Sequence, residues 1–207
     1  MEKTIDKNLS ITDENEKIIA NILHDIKSPL YSIKIGLSSH LDSELNNDIF
    51  ETTTNIIDYI EKFLLNYSFK QGKFQNKTES CDIKAIIQRK LKSYKYIFLN
   101  KNIFIDFYYE NNEYIINSIY AFLSSIIGNI ISNIAFHGAQ NERAEIEIYK
   151  KNNNVFINFK NKYNSEDNNF SLGLDFCHNL ANCCKAEIKF VKTKSEVKVY
   201  LKIPNLN

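Results

Sequence analysis

His24-Asp25-Ile26-Lys27-Ser28-Pro29-Leu30 gathers a nucleophile, an acid, a cation and a hydroxyl into one short stretch. Imidazole titrates near neutrality, so a histidine can be an uncharged nucleophile at cellular pH. A neighbouring carboxylate can hold the ring in one tautomer or take its proton, which is the work open to Asp25. Lys27 and Ser28 follow within one helical turn of His24. A lone helical histidine is ordinarily a surface residue. The acid, cation, hydroxyl and proline around this one set it apart.

A second group stands on another helical pattern. In Ile126-Ile127-Gly128-Asn129-Ile130-Ile131-Ser132-Asn133-Ile134-Ala135-Phe136-His137-Gly138, Asn129 and Asn133 are spaced i, i+4 and share one face. Two asparagines in an Asn-rich chain could also be no more than a solvated helix edge. His137 closes the same pattern, where a histidine complements the helix dipole. His40 and His178 have no sequence neighbours that lift them above surface residues.

The first constellation must be held by long helices. Thr12 and Asp13 are N-cap types, with Glu16 placed to close a capping box. Ile19, Leu23, Ile26, Leu30, Ile33 and Leu37 then alternate steps of four and three, the seam of a bundle helix. Pro29 removes a backbone donor in mid-helix and is expected to kink or loosen the turn after His24. After a polar turn over 40–48, Ile49, Thr53, Ile56, Ile60, Phe63 and Tyr67 repeat the seam, widened by Phe50, Ile57 and Leu64. The second helix is expected to end near Gly72. Stripes this wide exceed what two helices can bury on each other, so a second copy completing a four-helix bundle is expected. His24 falls about 100° off the seam, on an accessible flank.

Beyond Cys81 the periods mix. Residues 82–99 read as a helix, Ile103, Ile105 and Phe107 as a half-buried strand, and Ser118 to Ala135 as a strongly apolar helix. Ile146 and Ile148, then Val155, Ile157 and Phe159, predict two strands joined by a turn at Asn152-Asn153-Asn154. A helix over 174–184 precedes a closing hairpin, Ile188 to Phe190 and Val197 to Ile203. The fold class expected is α+β, with helices on one face of a mixed sheet. The domains are a tail over 1–11, a helical hairpin over 12–74 and an α/β sandwich over 80–207.

With 43% hydrophobic and 25% charged residues and a net charge of +1, nothing in the composition advertises nucleic acid or an anionic membrane. No apolar run is long enough to span a bilayer, and the N-terminus is polar, so a cytoplasmic protein without membrane insertion is expected. Cys81, Cys177, Cys183 and Cys184 fit neither a dense disulfide framework nor a zinc pattern and read as reduced thiols. With only a short polar segment ahead of the first helix, an input signal is expected to arrive through a partner.

The stretch at His24 resembles the H-box of two-component histidine kinases, in which the histidine carries a phosphoryl group. The segment around Asn129 and Asn133 resembles the N-box of the kinase ATP-binding domain. These motifs, the hairpin and the closing strands occur in family order across nearly the whole chain. The resemblance implies a dimerisation and phosphotransfer hairpin followed by a GHKL-type catalytic domain. It implies that His24 exchanges a phosphoryl group with an aspartate of a response-regulator receiver, with Asp25 orienting or deprotonating the ring. Lys27 would neutralise phosphoryl charge and Ser28 would position a water. Asn129 and Asn133 would lie beside ATP, with Asn133 holding Mg²⁺ through its amide oxygen, a hard ligand suited to that ion.

The departures from the family matter as much. Where the family has Asp-x-Gly-x-Gly, this chain has Asn161-Lys162-Tyr163-Asn164-Ser165. Asn161 could still accept a hydrogen bond, but Tyr163 puts a ring where a residue without a side chain is expected. Of the glycines in the family's next motif only Gly173 survives, in Asn169-Phe170-Ser171-Leu172-Gly173-Leu174, and phosphate loops need unobstructed N–H groups. The segment over 161–173 is also short for an ATP lid. Asn161 and Gly173, with Asn129 and Asn133, therefore read as a vestigial or weak nucleotide site.

The expected function is a histidine phosphotransferase with a decayed catalytic domain, working with a receiver and loaded by that receiver or by an upstream sensor kinase. The alternatives are an ATP-dependent autokinase with a minimal site, and a non-catalytic GHKL-type binding module, a pseudokinase or anti-sigma-like protein. An intact H-box argues against the last, because sequestration needs no nucleophile.

Overall fold

A computed structural model describes residues 2–38, 44–71, 78–110, 112–163 and 174–206. The chain divides into two units, 1–75 and 76–207. The expectations at His40, Gly72 and Gly173, and most of the shortened lid, lie outside the described residues.

The first unit is a pair of helices packed on each other, α1 (Glu2–Ser38) and α2 (Glu44–Lys70). α1 begins at Glu2, ten residues ahead of the expected cap at Thr12, so the segment read as a tail is helical. Nothing in 2–11 breaks a helix, since it holds neither glycine nor proline, and a cap-type residue is tolerated inside a helix when its neighbours are good helix formers. The helix also continues unbroken through Pro29. The proline costs α1 the donor for the Asp25 carbonyl, and the turns on either side carry the helix past it.

The expected seams split in two. On α1, Ala20 is buried and Leu23, Leu30 and Leu37 half-buried, whereas Ile19, Ile26 and Ile33 are exposed. On α2, Phe50, Thr53, Ile57, Ile60 and Tyr67 are buried, whereas Ile49 and Ile56 are exposed. Each set repeats every seven residues, so each helix carries two adjacent stripes. One stripe faces the other helix. The second is left on the surface.

The second unit has a short antiparallel pair and a five-stranded sheet. β1 (Glu79–Asp82) pairs with β3 (Ile115–Ser118). The larger sheet has the order β2-β4-β5-β7-β6, formed by β2 (Phe104–Tyr109), β4 (Arg143–Lys151), β5 (Asn154–Lys162), β7 (Glu196–Pro204) and β6 (Glu187–Lys192). β2 and β4 are parallel, and every other pair is antiparallel. The β4–β5 hairpin closes with Asn152 and Asn153 at φ 49° and 61°, a left-handed turn that asparagine tolerates better than other side chains.

Alternation decides the faces of the sheet. Ala144, Ile146 and Ile148, then Val155, Ile157, Phe159 and Asn161, then Val197, Val199, Leu201 and Ile203 are buried. The opposite face carries ion pairs such as Lys160–Glu145 at 2.9 Å and Lys202–Glu187 at 2.6 Å. The helices of this unit are α3 (Ile83–Ser93), α4 (Lys95–Asn100), α5 (Tyr120–His137) and α6 (Leu174–Cys183). Asp82 caps α3 by accepting from the Ala85 N–H at 3.0 Å. The single helix expected over 82–99 breaks at Tyr94, which is buried edge-on against Phe136.

α5 packs between α3 and α6, so Phe122, Leu123, Ile126, Ile127, Ile131 and Ile134 are all buried. At about 1.5–3 kcal/mol for each large apolar side chain taken from water, this one helix anchors the unit.

Candidate functional site

His24 stands on α1 with its side chain 79% exposed, and its Nδ1 lies 3.6 Å from Asp25 Oδ1, itself 86% exposed. That distance is longer than a hydrogen bond, and a small rotation would close it. Asp25 lies on the Nδ1 side of the ring, away from Nε2. Proline at 29 supplies no N–H to the Asp25 carbonyl. The Ser28 carbonyl accepts from the Ser32 hydroxyl at 3.3 Å.

One turn on, the two helices are tied by a cluster that tertiary packing creates. Lys27 Nζ lies 2.9 Å from Glu61 Oε1, and the Tyr31 hydroxyl donates to the same oxygen at 2.8 Å. Lys27 Nζ is also 5.7 Å from the centre of the Tyr31 ring. Burial raises the Tyr31 phenol well above the usual tyrosine range, and its bond to Glu61 and the charges of Glu61 and Asp58 add to the rise. Tyr31 is therefore a proton donor throughout the physiological range. Tyr31 shares the face of Lys27 at i+4, which is legible in the sequence; Glu61, on the other helix, carries no local signal.

The second constellation runs from the middle of α5 to its C-terminal end. Asn129 is buried and its amide donates to Cys177 Sγ of α6 at 2.9 Å. Asn133 is half-buried one turn further on. Gly138 pairs with Tyr163, and Ala139 N–H donates to the Lys162 carbonyl at 3.0 Å, which joins the end of α5 to the end of β5. A Cβ at Gly138 would lie 2.3 Å from the Ile134 carbonyl oxygen, so this junction needs glycine.

Asn161 is buried on the helix-facing side of β5 and donates to the Lys162 carbonyl at 3.0 Å. The next inward side chain is Tyr163, whose hydroxyl donates to the Thr193 carbonyl at 2.7 Å, with Lys192 Nζ 4.6 Å from the ring centre. The structure thus brings Asn161 and Tyr163 to the end of the Asn129–Asn133 helix.

In this group the Asn161 amide is engaged with backbone, the Tyr163 ring lies at the junction with Gly138, and the Asn129 amide is turned to a thiol. Among the described residues no three His, Cys, Asp or Glu side chains come together to hold a metal ion, and no helix is long and apolar enough to cross a membrane.

No protein-family model matches the chain, and no curated protein matches its sequence. Solved structures do match its fold. The Acinetobacter baumannii histidine kinase AdeS aligns over 89% of this chain and 98% of its own, with a TM-score of 0.61 and 16% identity. The nucleotide-free catalytic domain of histidine kinase ThkA aligns over 62% of this chain and 96% of its own, with a TM-score of 0.55 and 14% identity. The cytoplasmic segment of histidine kinase QseC aligns over 72% and 95%, with a TM-score of 0.56 and 10% identity. At such identities the likeness is one of fold. The α+β arrangement of mixed sheet and helices is that of histidine kinase catalytic domains.

Proposed function

We propose that the chain is a cytoplasmic phosphotransfer protein of two-component signalling, carrying a phosphoryl group on His24 and exchanging it with an aspartate of a response-regulator receiver. The observation that carries this reading is His24 itself, exposed on a packed helical hairpin with Asp25 at its Nδ1 and Lys27 one turn away. The fold shared with histidine kinase catalytic domains supports it.

In the reaction the Nε2 lone pair attacks phosphorus of the receiver's aspartyl phosphate. The P–N bond forms as the acyl P–O bond breaks, and the electron pair leaves with the aspartate carboxylate. The ring becomes cationic, and Asp25 stabilises the Nδ1 proton or accepts it. Such transfers depend on positioning and charge neutralisation more than on strong nucleophiles. Lys27 supplies a cation within reach. Ser28, one turn beyond His24, would position a water if the protein also dephosphorylates its partner.

The hairpin works as a homodimer in this reading. Ile19, Ile26 and Ile33 of α1 and Ile49 and Ile56 of α2 are exposed at heptad spacing, a stripe that a second copy would cover. The residues at 129, 133, 161 and 173 are the remains of a nucleotide site, with Asn133 the Mg²⁺ ligand only where a nucleotide binds.

Mixing the protein with a ³²P-labelled phosphorylated receiver tests the reading. Label should reach this chain as an acid-labile, base-stable adduct and be absent from His24→Ala. Asp25→Asn should slow transfer by about 100-fold, the scale of lost acid–base assistance. Label persisting in His24→Ala would sink the assignment.

A further inference from the structure

The cluster beside His24 holds its cation in a particular way. Lys27 and Tyr31 converge from α1 on a single oxygen, Glu61 Oε1 of α2, at 2.9 and 2.8 Å. The Lys27 and Glu61 side chains are 32% and 38% exposed, so the pair is partly solvated and its partner can be exchanged. Lys27 sits at i+3 from His24, on a stem long enough to reach a group carried by that ring.

We propose that Glu61 is a positioning residue: it holds the Lys27 ammonium against α2 while His24 is bare, and yields it to the phosphoryl group once His24 is loaded. This rests on the phosphotransfer reading above. Three features of the geometry support it. A phosphoryl group carries close to two negative charges against the single charge of a carboxylate, so it competes for Lys27 on favourable terms. Tyr31 keeps its hydrogen bond when Lys27 leaves, so Glu61 is not left as a half-buried charge without a donor. The neutral pair also keeps Glu61 from repelling an incoming phosphorylated receiver, because its charge is matched until the phosphoryl group arrives. The charged and titratable groups around the histidine that take part are Asp25, Lys27 and Tyr31 on α1 and Asp58 and Glu61 on α2.

The test uses the full chain loaded on His24 with phosphoramidate, whose P–N bond breaks with release of ammonia as the ring P–N bond forms. The pH midpoint of the phosphoryl group's last ionisation is followed by ³¹P NMR in the parent, Glu61→Gln, Lys27→Met and the double variant. If Glu61 acts through Lys27, Glu61→Gln should lower the midpoint by about 0.5–1 pH unit with Lys27 present and by half that or less with methionine at 27. Equal shifts in the two backgrounds, or none, would overturn the proposal. In the parent chain, loading should also release the Lys27 side-chain protons from the ring-current shift of Tyr31; resonances that stay put overturn it independently of any variant. Phosphoramidate loads an accessible imidazole without a receiver, so this result and the transfer experiment can fail separately.

Discussion

Asn129 of α5 donates its side-chain amide to the Cys177 thiol of α6 at 2.9 Å. The contact links two helices of the second unit through a residue that the histidine kinase resemblance assigns to a nucleotide. With Tyr163 filling the end of β5, Mg-ATP should bind with a Kd on the order of 1 mM or weaker, less than about 4 kcal/mol of binding free energy. Calorimetry giving low-micromolar affinity competed by ADP would restore the autokinase.

The exposed stripes give the proposed dimer its own test. Ile56→Asp should leave the monomer fold intact and shift the protein to monomer in sedimentation, because Ile56 is exposed within one chain. Ile60→Asp should unfold the hairpin as well, since Ile60 is buried against the other helix and an unpaired buried carboxylate costs several kcal/mol. A dimer that survives Ile56→Asp would remove that stripe from the interface.

Gly138 makes a different prediction about the second unit. A methyl group at 2.3 Å from the Ile134 carbonyl oxygen cannot be accommodated without moving backbone. Gly138→Ala should destabilise by about 1–3 kcal/mol, read as a lowered urea midpoint. An unchanged midpoint would show that the end of α5 yields easily.

Burial pushes the Cys184 thiol up to about 12 from its ordinary 9.0, the nearby thiols of Cys183 and Cys81 adding to the rise while bonds to Ser118 and Ile119 oppose it. The folded state therefore keeps a proton that the unfolded state loses. Stability from this group is complete below pH 9 and falls as pH rises towards 12. Urea midpoints measured at pH 8 and pH 10.5 should drop more for the parent than for Cys184→Ala. Equal drops would place the alkaline sensitivity in other groups.

Much of this architecture is legible in residue patterns, and the exceptions have causes. The run from Val197 to Ile203 alternates cleanly because one face meets the helices and the other meets water, so it reads as a strand. β1 and β3 leave little trace: each is only four residues long, and Cys81, Ile116 and Ser118 are the inward side chains of a pair too short to set a period. The seams of α1 and α2 were readable as apolar, but their division into an inner and an outer stripe depends on where the second helix lies. His24 and Asp25 are legible as neighbours because they are adjacent in sequence. Glu61 is not, because it reaches Lys27 only through packing.

The parallel pairing of β2 with β4 bears on the order in which the chain can fold. Hairpins β4–β5 and β6–β7 close over short turns, whereas Phe104 meets Arg143 only after β3 and the whole of α5 have been laid into the crossover between them. Contacts so distant in sequence carry a larger entropy of closure and form slowly. β2 should therefore gain amide protection after the β4–β5 and β6–β7 hairpins in a pulsed hydrogen-exchange refolding experiment, as should the β5–β7 pairing, whose partners lie as far apart in sequence, and β2 amides protected ahead of the β4–β5 hairpin would reverse that order. Until it docks, one side of β4 is an open edge, so refolding yield should fall as protein concentration rises.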